Sequence, residues 1–189
     1  MAVKIGMISF AHMHAMSYAG CVQENPDAEF VGISDVDSAR GKHVAQEFDT
    51  EYFESDEALF DAGIDAVIIC TENARHREKT EAAAAAGLDV MCEKPISVSV
   101  EDAQAMIDAC DEAGVQLMTA FPCRYGPAYI EAQKMVDAGD LGDILAIKGT
   151  NRGRNPGGWF VEPELSGGGA TMDHTVHVAD LMRQITGAE

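Results

Sequence analysis

Asp65-Ala-Val-Ile-Ile-Cys70 decides the fold class. It is a short, nearly pure β run with no polar alternation, the pattern of a strand buried on both faces in a parallel sheet. Segments of helical periodicity flank it. One lies around Ser55 to Ala62, and the alanine-rich stretch from Glu78 to Ala86 stops at Gly87, a usual helix terminator. Working outward, the same rhythm repeats. Strands are predicted at Ala2–Ile8, Glu29–Ser34, near Tyr52, at Leu88–Cys92 and at Val115–Phe121. Helices are predicted at His12–Glu24 and Asp37–Phe48, and another starts at the capping box Ser99-Val-Glu-Asp and ends at Gly114. Alternation of this kind over residues 1–122 predicts an α/β, doubly wound parallel sheet of the Rossmann type, built to hold a dinucleotide.

After Phe121-Pro122 the pattern changes. A helix from Pro127 to Ala138, an isolated strand from Ile144 to Thr150, a Gly/Asn/Pro-rich loop from Asn151 to Gly169 and a last helix from Thr171 to Thr186 are predicted. One strand and two helices do not close a sheet-based domain. Residues 123–189 therefore read as an incomplete α+β second domain, with an exposed edge at Ile144–Thr150.

Charge narrows the partners. The chain has 189 residues, with 32 acidic against 13 basic side chains and a formal net charge of −19. That field repels phosphate backbones and anionic lipids, which disfavours nucleic-acid and membrane partners. Acid spread along every segment also suits a protein that stays soluble in concentrated salt, so a halophilic source is expected. The five cysteines contain no C-x-x-C pair and read as reduced, mostly buried thiols. With neither a leader pattern nor a membrane-length apolar run, a cytoplasmic location is expected.

The phosphate turn is unusual. Where G-x-G-x-x-G would stand, the sequence reads Ser9-Phe-Ala11-His12-Met-His14, and the lone Gly6 lies inside the strand. Ser9 and Ala11 are small enough for a fairly close approach, leaving the amides near His12 open to a pyrophosphate. Asp35 ends the second strand where an acid accepts from the adenosine ribose, which favours NAD over NADP. Its other reading is a cap for the helix beginning near Asp37. Arg40 sits on a solvated helix face or serves a 2′-phosphate.

Three groups carry chemistry: Glu93-Lys94-Pro95 at a strand end, Gly167-Gly-Gly169, and Asp173 with His177 one helical turn apart. Hydride transfer at a carbinol carbon needs a base such as His177 for the hydroxyl proton and a cation such as Lys94 for the developing alkoxide. The alternative for Asp173 and His177 is a helix-stabilising pair. His12 and His14, with His174 and His177, do not supply a convincing set of converging zinc ligands. No metal is expected, and His14 reads as a packing residue.

Together Thr71-Glu-Asn73 with His76, Glu93-Lys94-Pro95, the run Tyr129 to Ile147 and Gly167-Gly-Gly-Ala-Thr-Met-Asp173-His-Thr-Val-His177 resemble the Gfo/Idh/MocA family across essentially the whole chain. These are the glucose-fructose oxidoreductase and inositol dehydrogenase relatives. The resemblance implies an NAD(P)-dependent dehydrogenase acting on a secondary hydroxyl of a sugar, inositol or related polyol. By the same resemblance Lys94 is the active-site lysine, Asp173 a substrate-contacting acid and His177 the general acid/base. Thr71, Asn73, His76 and Glu93 would line the nicotinamide site. Arg124 and Trp159 would approach the substrate, with packing as their other reading. The chain departs from the family at the glycine turn, at Glu72 in place of a frequent proline, and in stopping where members continue into a large open sheet from which homo-oligomers form. A second class, a non-catalytic dinucleotide-binding sensor or an inactive fragment, stands beside the enzyme.

Overall fold

The computed structural model describes residues 1–188. Its centre is a six-stranded, all-parallel sheet of β1 (Val3–Ile8), β2 (Ala28–Ser34), β3 (Glu51–Phe53), β4 (Ala66–Ile69), β5 (Asp89–Glu93) and β6 (Leu117–Ala120). The spatial order is β3-β2-β1-β4-β5-β6, so the winding reverses between β1 and β4. In open α/β sheets that reversal opens a crevice at the carboxyl ends of the strands, where ligands bind.

Period-two alternation splits the core between the two faces of the sheet. Met7, Ile33, Ile68 and Cys70 pack with α1 (Ala15–Glu24) and α2 (Ser38–Glu47) on one face. Ile8, Val67, Ile69 and Val90 pack on the other with α4 (His76–Ala85) and α5 (Val100–Ala113), while α3 (Asp56–Asp61) contributes Leu59 there. Gly6 belongs to this packing, since a Cβ on it would lie 2.9 Å from Ile64 Cδ1 and 3.0 Å from Leu59. Side-chain caps fix three helix starts: Asp37 accepts from Ala39 and Arg40, Ser55 from Ala58 and Ser99 from Asp102.

Beyond β6 come α6 (Pro127–Asp137), a 3₁₀ turn at Gly158–Val161, α7 (Pro163–Ser166), α8 (Ala170–Asp173) and α9 (Thr175–Thr186). Three expectations change here. The Ile144–Thr150 run forms no strand; it has no neighbouring strand among the described residues, and a strand without a partner has nowhere to place its amides. Gly149 lies instead against Val178 and Met182 of α9. The loop Asn151–Gly169 holds the 3₁₀ turn and α7. The single last helix is two, broken at His174, so Asp173 and His177 are not one turn apart on a continuous helix. Similarly, α1 starts at Ala15 and not at His12, because the His12 amide is drawn to the Cys70 carbonyl at 3.0 Å.

All five cysteines are unpaired, with Cys70, Cys92 and Cys110 buried and Cys21 and Cys123 exposed. No helix among the described residues is long and apolar enough to cross a membrane.

Candidate active site

The tip of β5 organises the site. Glu93 is fully buried, and its Oε1 accepts from His14 Nδ1 and from the Tyr18 hydroxyl at 2.9 Å, while Oε2 accepts the Lys94 amide. Burial pushes this carboxyl up, but the hydrogen bond from His14 and the electrostatic pull of the neighbouring His12, His14 and Lys94 outweigh it and hold Glu93 below the usual carboxylate range. His12, also buried, has its Nδ1 3.6 Å from Glu93 Oε1. Burial lowers its pKa to about 4 against the opposing pull of Glu93, so its ring is neutral at pH 7.

Lys94 is 2% exposed, and its Nζ donates to Asp173 Oδ1 at 2.6 Å and to the Asp173 carbonyl at 3.3 Å. A cavity of about 260 Å³ opens beside this pair, lined by His12, His14, Lys94, Cys123, Asp173 and His177 among others. The structure thus brings Lys94, Asp173 and His177 to one cavity even though the helix between the last two is broken. His177 is 7% exposed, with Nδ1 3.5 Å from Cys123 Sγ. Burial and the Lys94 cation lower its pKa below the ordinary histidine value of 6.5.

Three local devices hold the second half of the chain against the sheet. Gly167 adopts φ +74°, where a Cβ would be strained and would also collide with Val98, so the glycine tract is a close-packed joint here. Asn73 donates from its amide to the Ser166 carbonyl at 2.9 Å. Arg124 pairs in a fork with Asp180, donating from Nε at 2.8 Å and from Nη2, and lies over the Phe121 ring. This is the packing role for Arg124, which fixes α9 through Nε and Nη2 and is not among the residues lining the cavity. Trp159 is also displaced. Its indole donates to the Ala11 carbonyl at 3.1 Å and stacks on Phe160, so it covers the phosphate turn and does not line the cavity. His76 is buried with Nδ1 2.9 Å from the Pro95 carbonyl, tying α4 to the loop after Lys94. Thr71 is 1% exposed, and its hydroxyl donates to the Glu72 carbonyl.

At the phosphate turn, Ser9 keeps the left-handed backbone a glycine would supply, with φ 68°, and its Oγ accepts from the Ala11 amide at 3.1 Å. Other amides are also engaged. Phe10 donates to Asp35 at 2.8 Å, His12 to Cys70 and His14 to His12 Nδ1. The expectation of open amides near His12 therefore narrows to Met13, whose amide donates to no protein group among the described residues. Asp35 sits where a ribose acid belongs, yet it is not the helix cap, which is Asp37. Its carboxylate already accepts from Phe10, Asp37 and both Arg40 Nε and Nη2. A carboxylate has about four lone-pair sites, so a ribose hydroxyl must displace one donor. Arg40 is turned onto Asp35 and Ser9, with its side chain half-buried. The groups this crevice offers a dinucleotide are the Asp35–Arg40 pair and the Met13 amide.

His14, Tyr18, Cys123 and Asp180 escaped the sequence reading. His14 stood within the turn that was read, but its link to Glu93 spans 79 residues and no local spacing signals it.

Residues 3–121 match a family described as an oxidoreductase family with an NAD-binding Rossmann fold, and residues 129–189 match the GFO/IDH/MocA C-terminal domain. The scyllo-inositol 2-dehydrogenase (NAD(+)) of Bacillus subtilis strain 168 is 33% identical over 188 residues, covering 98% of this chain and 53% of that protein. The D-xylose 1-dehydrogenase (NADP(+)) 2 of Haloferax volcanii is 33% identical over 190 residues, covering 98% and 58%. Among solved structures, the aldose-aldose oxidoreductase of Caulobacter crescentus complexed with glycerol superposes with a TM-score of 0.85 at 27% identity, over 99% of this chain and 58% of that one. The chain spans about half the length of the curated relatives it matches.

Proposed function

The chain belongs to the GFO/IDH/MocA oxidoreductase family, and on that premise we propose that it forms the dinucleotide-binding and proton-transferring part of an NAD(P)-dependent dehydrogenase acting on a sugar or polyol hydroxyl. The observation that carries this reading is the buried Lys94–Asp173 pair sharing one cavity with His177 at the carboxyl end of β5. Residues 1–122 are read as the cofactor side and 123–189 as the beginning of the substrate side. Relatives acting on scyllo-inositol and D-xylose support the substrate class.

A bound nicotinamide supplies the hydride acceptor. Asp173 holds Lys94 Nζ at the cavity wall, where the ammonium hydrogen-bonds the substrate oxygen and stabilises the alkoxide as it develops. His177 takes the hydroxyl proton. Its Nδ1 is engaged with Cys123, which leaves Nε2 to exchange that proton. Glu93, His76 and the Asn73–Ser166 bond position the β5 tip and α7 around the cavity. Asp35 and Arg40 take the adenosine end, an acid for a free 2′-hydroxyl and a cation for a 2′-phosphate, so either cofactor is accommodated. The net charge of −19 supports a salt-rich setting without nucleic-acid or membrane partners. Self-association through a further sheet is expected of a longer relative.

The pH profile tests the proton transfer. The base must be neutral to accept a proton, and the His177 pKa lies below 6.5. Oxidation should therefore hold its kcat/KM plateau at neutral pH and fall as pH drops through that lowered pKa. Reduction, which needs the imidazolium, should fall as pH rises through the same region. Measured with scyllo-inositol or D-xylose, an acid limb at or above pH 6.5, or one that persists in His177→Asn, overturns the assignment.

A further inference from the structure

We propose that His12, His14 and Glu93 form a binding site for a divalent transition metal of the zinc class on the wall of the cavity. A ligand nitrogen of each histidine and a carboxylate oxygen of Glu93 all lie within 4.8 Å of one another, from residues that are 79 and 81 positions apart in the sequence across the sheet reversal. Zinc ligands stand about 2.0–2.2 Å from the ion, so the His14–Glu93 hydrogen bond opens and gives up its proton as the ion enters the triangle. Two imidazoles and one carboxylate suit zinc or iron(II), whereas calcium and magnesium favour oxygen donors throughout.

The surroundings fit this use. Glu93 is held from behind by the Tyr18 hydroxyl at 2.9 Å on Oε1 and by the Lys94 amide on Oε2, the carboxylate-orienting contacts that tune a metal ligand. His12 is buried, its Nε2 has no hydrogen-bond partner, and its Nδ1 accepts the His14 amide at 3.2 Å, a bond that ligation of this imidazole replaces. The nearby Lys94 ammonium is paired with Asp173 at 2.6 Å and does not face the triangle as a bare cation. Both histidines also line the cavity, so a fourth position faces open space, as in three-ligand sites that leave one place for a substrate oxygen or water. The site thereby gives a purpose to His14, which stands where the family turn has its last glycine. The proposal rests on these three residues alone, although His12 and Glu93 also border the cofactor crevice and the cavity is shared with Lys94, Asp173 and His177.

The test is titration of zinc chloride into the chelator-treated full chain, followed by calorimetry, with cobalt(II) absorption as a reporter of imidazole ligation and NADH binding measured on the same samples. One ion per chain with micromolar or tighter affinity is expected. Changes behind the ligands cost about 10- to 100-fold in metal affinity, so Tyr18→Phe should weaken binding by about 10-fold. His14→Ala, at a half-exposed position that should leave the fold intact, removes a ligand and should weaken it by about 100-fold or more. No binding at millimolar zinc overturns the proposal, and so does equal binding by the native chain and His14→Ala. NADH is also titrated into the metal-free chain: if zinc fails while NADH binds, the metal site alone is wrong; if zinc binds and the metal-free chain does not bind NADH, the hydride-transfer reading is the one that fails.

Discussion

His177→Ala is expected to lower kcat for polyol oxidation by about 10²- to 10⁴-fold, the usual contribution of a positioned general acid/base. KM should change little, because the imidazole acts on the proton in transit and is not the principal contact of the bound hydroxyl. The side chain is buried against Cys123, so the loss of volume has a modest packing cost as well. His177→Gln separates the two effects: it refills most of the space without restoring a titratable nitrogen, and should leave kcat as low as alanine does. Recovery of turnover in the glutamine variant would show that His177 is a packing residue.

Lys94→Ala is expected to lower kcat by about 10²- to 10³-fold, the cost of removing one preorganised donor from a developing oxyanion. The ammonium is buried beside Asp173 and cannot be replaced by water without reorganisation. Lys94→Arg should not rescue turnover, since the planar guanidinium is longer and addresses a carboxylate with a fork where the cavity has room for a point charge. Full activity in Lys94→Arg would mean that only charge near Asp173 matters and that no directed hydrogen bond to substrate is made. Melting temperature measured alongside shows whether the variant still carries a docked α8 and α9.

What the sequence reveals and what it conceals divide along sequence distance. The succession of strands and helices is legible because Asp65–Cys70 and its flanking helices follow local rules of burial, period and capping, and the helix starts at Asp37, Ser55 and Ser99 are written in adjacent residues. Lys94, Asp173 and His177 are legible as a set through family resemblance, although the break at His174 leaves no trace in the helical periodicity. Long-range pairing is not legible. Arg124 pairs with Asp180 from 56 residues away, and Trp159 reaches Ala11 across 148 residues, so residues that the sequence left open between substrate contact and packing are seen to fasten distant segments. The Ile144–Thr150 run has β character without a partner, and a strand is a property of two segments, not one. At the turn, Ser9 takes the left-handed conformation on its own, which the absence of glycine conceals.

The central claim is that the crevice between β1 and β4 still holds a dinucleotide although its turn has no glycine. Calorimetric titration of NADH and NADPH into the full chain tests it directly. Saturable binding of at least one of them at a single site per chain, weakened when Arg40 and Asp35 are both replaced by alanine, is the expected result. Absence of binding by both at millimolar concentration would contradict it, and with it the assignment of Lys94 and His177 to hydride chemistry.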